Sequence, residues 1–149
     1  MNTVNSVAII GAGNMGSGIA QKSAQEEFNV QMVDREKQWV DRGEKIINDF
    51  LEEAIQRRIF KPEKVEEIKS RITGVVGTEN VAPDTDLVIE AVFEDFNIKK
   101  DVFNILDRVC GDKTILASNT SSLSVNELAK ATGRPDKFVG LHFFYHPAK

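Results

Sequence analysis

The chain is poor in the residues that staple, break or anchor a protein: one cysteine, four prolines, one tryptophan and one tyrosine among 149 residues. A lone thiol, Cys110, cannot form an internal disulfide, so a disulfide framework is excluded and a reducing, cytoplasmic setting is expected. No stretch rich in proline, glycine and serine reads as a linker, and the length suits one domain, residues 1–149, with a full-sized core. No apolar run approaches the ~20 residues of a membrane span, so no membrane partner is expected. The first residues carry neither a basic segment nor a cleavage signature, so secretion is not signalled. Positive charge is not in excess: 19 Lys and Arg stand against 23 Asp and Glu, a net charge of −4, which speaks against a nucleic-acid partner. What is present, 41% apolar and 28% charged residues, is the composition of an ordinary folded protein and too apolar for disorder.

Short β-type runs alternate with helical periodicity, the rhythm of parallel βα units. Val7-Ala8-Ile9-Ile10 is apolar on both faces, as a strand covered by helices on two sides must be. A glycine-rich turn follows, then a helical stretch from about Met15 to Glu26. A second strand runs from Asn29 to Val33 and ends at Asp34. From Glu36 to Arg58, Trp39, Gly43, Ile46, Ile47, Phe50, Leu51, Ala54 and Ile55 recur at helical spacing. Pro62 opens a further helix in the favoured first-turn position, with Val65, Ile68 and Ile72 as its apolar positions. This pair is longer than a plain crossover needs and reads as a helical hairpin inserted after the second strand. Gly74-Val75-Val76 is a third strand, Pro83 to Asp86 a turn, and Leu87 to Val92 a fourth strand. A helix from Phe96 to Cys110 is expected to end at Gly111. Thr114 to Ala117 is a fifth strand, Ser124 and Glu127 suggest a capping box, and Phe138 to Leu141 makes a sixth strand. The expected fold is therefore α/β: a Rossmann-type, doubly wound, mainly parallel sheet.

Gly11-Ala12-Gly13-Asn14-Met15-Gly16 fits G-x-G-x-x-G, and it follows a strand and opens a helix. Gly11 suits a tight turn, Gly13 lets a pyrophosphate approach the backbone, and Gly16 lets helix and strand pack closely. The helix N-terminus, with Asn14 and Met15 in its first turn, offers unpaired N–H groups to an anion. Asp34 lies eighteen residues beyond Gly16, near the ~20 expected for an acid that binds the adenosine ribose. That carboxylate favours NAD over NADP, although Arg35 beside it is a group that can receive a 2′-phosphate. Asp34 is also placed to cap the following helix.

With these elements in place, the chain resembles the NAD-binding domain of the 3-hydroxyacyl-CoA dehydrogenases over essentially its whole length. The resemblance rests on the glycine turn with Met15, on Asp86-Leu87-Val88-Ile89-Glu90-Ala91-Val92-Phe93-Glu94, on Ala117-Ser118-Asn119-Thr120-Ser121-Ser122-Leu123, on Gly140-Leu141-His142-Phe143-Phe144, and on the inserted hairpin. It implies that His142 is the catalytic histidine, that Ser121 hydrogen-bonds the substrate oxygen, and that Asn119 lies beside nicotinamide and substrate. It also implies that Glu94 and Lys99 surround the nicotinamide ribose and amide, and that Ala91 and Val92 run along the cofactor. The substrate implied is an acyl-CoA whose 3-hydroxyl is oxidised with NAD reduced, as in β-oxidation or butanoate metabolism. Imidazole suits the proton-accepting role because its ordinary pKa lies near ~6.5. The resemblance also implies that the hairpin, which carries Lys37, Arg42, Lys45, Arg57 and Arg58, receives part of the CoA.

The alternatives are a non-catalytic nucleotide-binding or structural protein of the same fold, or another β-hydroxyacid dehydrogenase. Against the first stands the presence of His142, Ser121 and Asn119 together. Glu90 reads as a buried strand acid with a structural partner and carries no expected catalytic role, Cys110 reads as a small buried apolar residue, and His146 as a loop histidine. His142 and His146 lack a third ligand, so no metal site is expected. The sequence departs from the family at Tyr145-His146, where the family continues from the histidine as His-Phe-Phe-Asn-Pro, so acyl preference is open at that loop. Family members continue with a glutamate partner for the histidine and a helical domain that closes the cleft and forms a homodimer. Since neither lies within these residues, the expectation is the NAD-binding part of a larger enzyme, with little dehydrogenase activity alone.

Overall fold

The structure is a computed structural model and describes residues 3–148. In chain order the elements are β1 (Ser6–Ile10), α1 (Asn14–Gln25), β2 (Asn29–Asp34), α2 (Lys37–Gln56), α3 (Pro62–Ser70), β3 (Ile72–Val76), β4 (Leu87–Glu90), α4 (Phe96–Val109), β5 (Ile115–Ser118), α5 (Val125–Lys130) and β6 (Phe138–Gly140). The strands form one sheet in the order β3-β2-β1-β4-β5-β6, and every neighbouring pair is parallel. The chain winds outward from β1 to β3, then returns across β1 to continue the other way through β4. That reversal is the switch point beside which ligands bind in doubly wound sheets.

Alternation along each buried strand separates two cores. Val7 and Ile9 of β1 pack with Ile19, Ala20 and Ala24 of α1, Ile47 and Leu51 of α2, and Val65 and Ile68 of α3. Ala8 and Ile10 face the other side, against Phe103 and Leu106 of α4, Cys110, and Leu128 of α5. Burial of Cys110 pushes its thiol above the ordinary range. At the amino end of the sheet, Asp86 ties β4 to β1. Its Oδ2 accepts from the N–H groups of Asn5 and Ser6 and from Ser6 Oγ, all at 2.9 Å, which holds its carboxyl below the usual range. Among the described residues no helix is long and apolar enough to cross a membrane.

The structure departs from sequence expectation at several ends. Ile72 fits the helical stripe of α3 but belongs to β3, where it pairs with Val30. The carbonyl of Arg71 accepts from Val30 N at 2.8 Å, and that ladder takes the chain out of the helix. β4 stops at Glu90 rather than Val92, because the Glu90 carboxylate takes the Val92 N–H at 2.8 Å and turns the chain. β5 is shifted to include Ser118. Gly111 does not form a left-handed cap. The last carbonyls of α4 are met instead by Arg134, which donates to the main-chain oxygens of Asp107, Cys110 and Gly111 at 2.9, 3.2 and 2.6 Å. Half of the capping box forms: Ser124 Oγ accepts from Glu127 N at 3.3 Å, while the Glu127 carboxylate pairs with Lys130.

Left-handed positions after helices fall on Glu27 and Arg58, at φ 70° and 58°. A non-glycine residue there costs about 1–2 kcal/mol, of which glycine's extra chain entropy returns about 0.5–1. Glu27→Gly is therefore expected to stabilise the fold by about 0.5–1 kcal/mol, read as a shifted urea midpoint at unchanged slope.

Candidate active site

The carboxyl edge of the sheet is built by ladder bonds that run one step past the strands. Gly11 N donates to Val33 O (2.7 Å), Ala91 N to Ile10 O (2.8 Å), Asn119 N to Glu90 O (2.8 Å) and Leu141 N to Ser118 O (2.9 Å). Those bonds lay Gly11, Ala91, Asn119 and Leu141 side by side, and the loops that follow rise together. They enclose a cavity of about 370 Å³ whose walls include Met15, Glu94, Lys99, Asn119, Ser121 and His142. Ala91 and Val92 lie along the same cavity, and Phe143, Phe144 and Tyr145 complete it. So eight of the fourteen site residues named from sequence line one cavity; Gly11, Gly13, Asn14 and Gly16 of the glycine turn, with Asp34 and Arg35, lie outside it.

The glycine turn is shaped by contact on two sides and by emptiness on the third. Gly11 has φ +106°, and a Cβ on it would lie 2.7 Å from the Ala91 carbonyl oxygen. A Cβ on Gly16 would overlap the Gly11 carbonyl. A Cβ on Gly13 would meet nothing within 4 Å, so the space in front of the turn is open. No side chain caps the N-terminus of α1, whose first turn thus presents main-chain N–H groups to that space. Asp34 is not the cap of α2, whose N-cap residue is Glu36, without a side-chain bond. Its Oδ2 accepts from Ala12 N at 2.8 Å and its Oδ1 from Arg35 N at 2.7 Å, so the acid braces the glycine turn. The Arg35 side chain is 75% exposed and is drawn to Glu36, 3.6 Å away.

Beneath the other end of the cavity the buried strand acid Glu90 finds its partner in Lys99, a pairing that the sequence reading did not name. Glu90, wholly buried, accepts from Lys99 Nζ at 2.5 Å and from Val92 N at 2.8 Å on one oxygen, and from Ser118 Oγ at 2.6 Å on the other. Lys99, 1% exposed, also donates to Val92 O at 3.2 Å and lies 3.3 Å from Glu94 Oε2. The signal was an acid at the end of the apolar run Leu87-Val88-Ile89, which demands a counter-charge. Glu94 Oε1 gathers Thr120 Oγ1, the N–H groups of Ser121 (3.2 Å) and Ser122 (3.3 Å), and Ser122 Oγ (3.2 Å). One carboxylate therefore shapes the turn that carries Ser121. Burial pulls Glu94 towards the neutral form. The hydrogen bond from Thr120, the charge of Lys99 and the Ser122 N–H outweigh it and hold the pKa down at about 2, against 4.5 ordinarily.

Asn119 Oδ1 accepts from Phe143 N at 2.7 Å, which ties the serine turn to the histidine loop. His142 is exposed, its ring 5.1 Å from that of Phe144. His146 is turned away and stacks on Phe50 of α2, 4.9 Å between ring centres. Among the hairpin cations, Lys37, Lys45 and Arg57 pair with Asp41, Asp49 and Glu53 one turn away, while Arg42 and Arg58 are exposed.

A doubly wound sheet with a glycine turn, a braced acid after β2 and a polar cavity at the switch point defines a dinucleotide-binding protein. Residues 6–149 match the model of the 3-hydroxyacyl-CoA dehydrogenase NAD-binding domain, and the chain belongs to that family. It is 42% identical over 138 residues to a 3-hydroxybutyryl-CoA dehydrogenase of Clostridioides difficile, covering 93% of this chain and 49% of that protein. Against the mitochondrial hydroxyacyl-coenzyme A dehydrogenase of Homo sapiens it is 38% identical over 146 residues, 95% of this chain and 46% of that one. The crystal structure of a (S)-3-hydroxybutyryl-CoA dehydrogenase from Ralstonia eutropha superposes with a TM-score of 0.91 at 37% identity, covering 95% of this chain and 50% of that chain. The chain thus spans about half the length of the relatives it matches. NAD is the cofactor of this domain family, and the open space before Gly13 and the uncapped start of α1 fit its pyrophosphate.

Since the folded pKa of Glu94 lies below its ordinary value, the stability it contributes is present above about pH 4.5 and lost as pH falls through about 2. The side chain is 38% exposed, so solvent screens part of that effect. Thr120→Val removes one donor and lets the folded pKa of Glu94 rise towards its ordinary value, so the variant should be less stable at neutral pH and lose less on acidification. Urea melts from neutral pH downwards measure it, with the gap between variant and parent widest above about pH 4.5 and closing as pH falls through about 2.

Proposed function

We propose that this chain is the cofactor-binding part of an NAD-dependent dehydrogenase that oxidises (3S)-3-hydroxyacyl-CoA to 3-oxoacyl-CoA. The observation that carries the reading is that His142, Ser121 and Asn119 line one cavity with Met15, Glu94 and Lys99, at the end of the glycine turn. The main-chain N–H groups that follow Gly11 and Gly13, in the first turn with Asn14, Met15 and Gly16, would hold the pyrophosphate. Asp34 accepts the ribose hydroxyls and repels a 2′-phosphate; Arg35, drawn aside by Glu36, does not compensate. Ala91, Val92, Glu94, Lys99 and Asn119 would hold the nicotinamide end.

The chemistry that NAD supplies when bound is acceptance of a hydride from the alcohol carbon. His142 takes the hydroxyl proton at an imidazole nitrogen. Ser121 Oγ donates to the substrate oxygen as negative charge gathers there. Asn119, its carbonyl engaged by Phe143 N, has its amide nitrogen left to donate to the same atom. Phe144 and Tyr145, whose rings are exposed, line the same cavity. We further propose that the unit is one domain and that the remaining half of such an enzyme is a helical domain. That half supplies a carboxylate partner for His142, closes the cleft and forms a homodimer. A cytoplasmic setting and no nucleic-acid or membrane partner accompany this reading, and the chain alone should bind NADH with little turnover.

Gly13→Ala and Gly16→Ala separate binding from folding. Gly13→Ala should leave stability within about 0.5–1 kcal/mol and weaken NADH at least tenfold, because its methyl fills only the ligand's space. Gly16→Ala should cost about 3 kcal/mol or more, because its methyl overlaps backbone. Calorimetric titration with NADH and NADPH checks the role of Asp34, and equal or tighter NADPH binding would refute it.

In the full-length enzyme, His142→Ala should lower kcat for acetoacetyl-CoA reduction by about 10²–10⁴ while leaving NADH affinity within about twofold. Unchanged turnover removes the proton-transfer role of His142.

A further inference from the structure

The buried pair under the cavity carries an inference that rests on assigning the cavity to the nicotinamide end of NAD. Every group that touches the Glu90 carboxylate is a donor: Lys99 Nζ, Val92 N and Ser118 Oγ. That is the environment of an ionised carboxylate, with each oxygen satisfied. Lys99 is then shared unequally, at 2.5 Å from Glu90 and 3.3 Å from Glu94. Were Glu90 neutral, the ammonium would cancel the charge of Glu94. With Glu90 ionised, two carboxylates share one cation, and the uncancelled negative charge falls on Glu94, which forms part of the cavity wall. Among the described residues no second lysine or arginine pairs with either acid.

We infer that Glu90 is a positioning residue: by claiming the larger share of Lys99 it leaves the Glu94 carboxylate only partly compensated on the cavity wall, which biases the site towards the oxidised, cationic nicotinamide over the neutral reduced ring. Ser118 and the Val92 N–H, which hold Glu90 from behind, belong to the same device. The charge sits on a side chain 38% exposed, so solvent screens part of its effect on the cavity.

The test is the ratio of Kd for NAD to Kd for NADH, from NADH fluorescence titration of the purified chain and its displacement by NAD. Glu90→Gln makes the cluster neutral and should raise the ratio about three- to tenfold. Lys99→Met makes it doubly negative and should lower the ratio. The double variant Glu90→Gln/Lys99→Met, in which Glu94 alone is charged, should return it to near the wild-type value. A purely structural role for Glu90 weakens both forms equally and leaves the ratio unmoved, which overturns the inference. If Glu90→Gln does not fold, Glu94→Gln makes the same change in net charge at an exposed side chain and must raise the ratio; an unmoved ratio again overturns the inference. Failure of the wild-type chain to bind NADH at all overturns the assignment of the cavity, and the inference with it. Normal binding with an unmoved ratio overturns the inference alone.

Discussion

Taking a carboxylate and an ammonium out of water costs several kcal/mol per ion, and the cost is met only when nearly every lone pair and proton finds a partner. Glu90 and Lys99 meet that condition, and much of the carboxyl edge follows from how they do so. The carboxylate reaches back to Val92 N and ends β4; it reaches across to Ser118 on the neighbouring strand, its partner in the sheet register. The ammonium, anchored in the first turn of α4, reaches to Glu94, and Glu94 gathers the turn from Thr120 to Ser122. One strand end, one helix start and two loops are thus set by a single charge pair. Removing either partner leaves an uncompensated ion, typically a loss of about 3–5 kcal/mol.

The glycine turn is held in a different way, by exclusion. Gly11 and Gly16 sit where a methyl would strike main-chain atoms, and Asp34 reaches across to Ala12 N. These contacts are tight inside the turn and absent in front of it, so the turn is a rigid rim around open space. Polar order at one end and steric order at the other give a long ligand two fixed points before it arrives, which lowers what must be ordered on binding.

Much of the layout was legible from periodicity. Val7-Ala8-Ile9-Ile10 reads as a strand covered on both faces, and its side chains divide between two cores. The hairpin after β2 was visible in the spacing from Gly43 to Ala54, because an apolar stripe at period 3.6 over that length has one reading. Element ends were less legible. Ile72 satisfies the stripe of α3, and only its pairing with Val30 makes it a strand residue. The stop of α4 depends on Arg134, distant in sequence, and no local signal at Gly111 reveals it.

The same division holds at the site. Gly11, Gly13, Gly16 and Asp34 declare themselves in sequence because backbone approach and a ribose acid need those residue types at a set spacing. His142, Ser121 and Asn119 could be named from a family likeness, but only the ladder bonds past β4, β5 and β6 bring their loops to one cavity. The fold class and the phosphate turn were determined by the sequence alone, since both rest on local steric rules and periodicity. The charge balance around Glu94, the burial of Lys99 and the separation of His146 from His142 were decided by tertiary structure. Each depends on which distant groups meet in a medium of low polarity, where the partner and not the residue type sets what a charge can do.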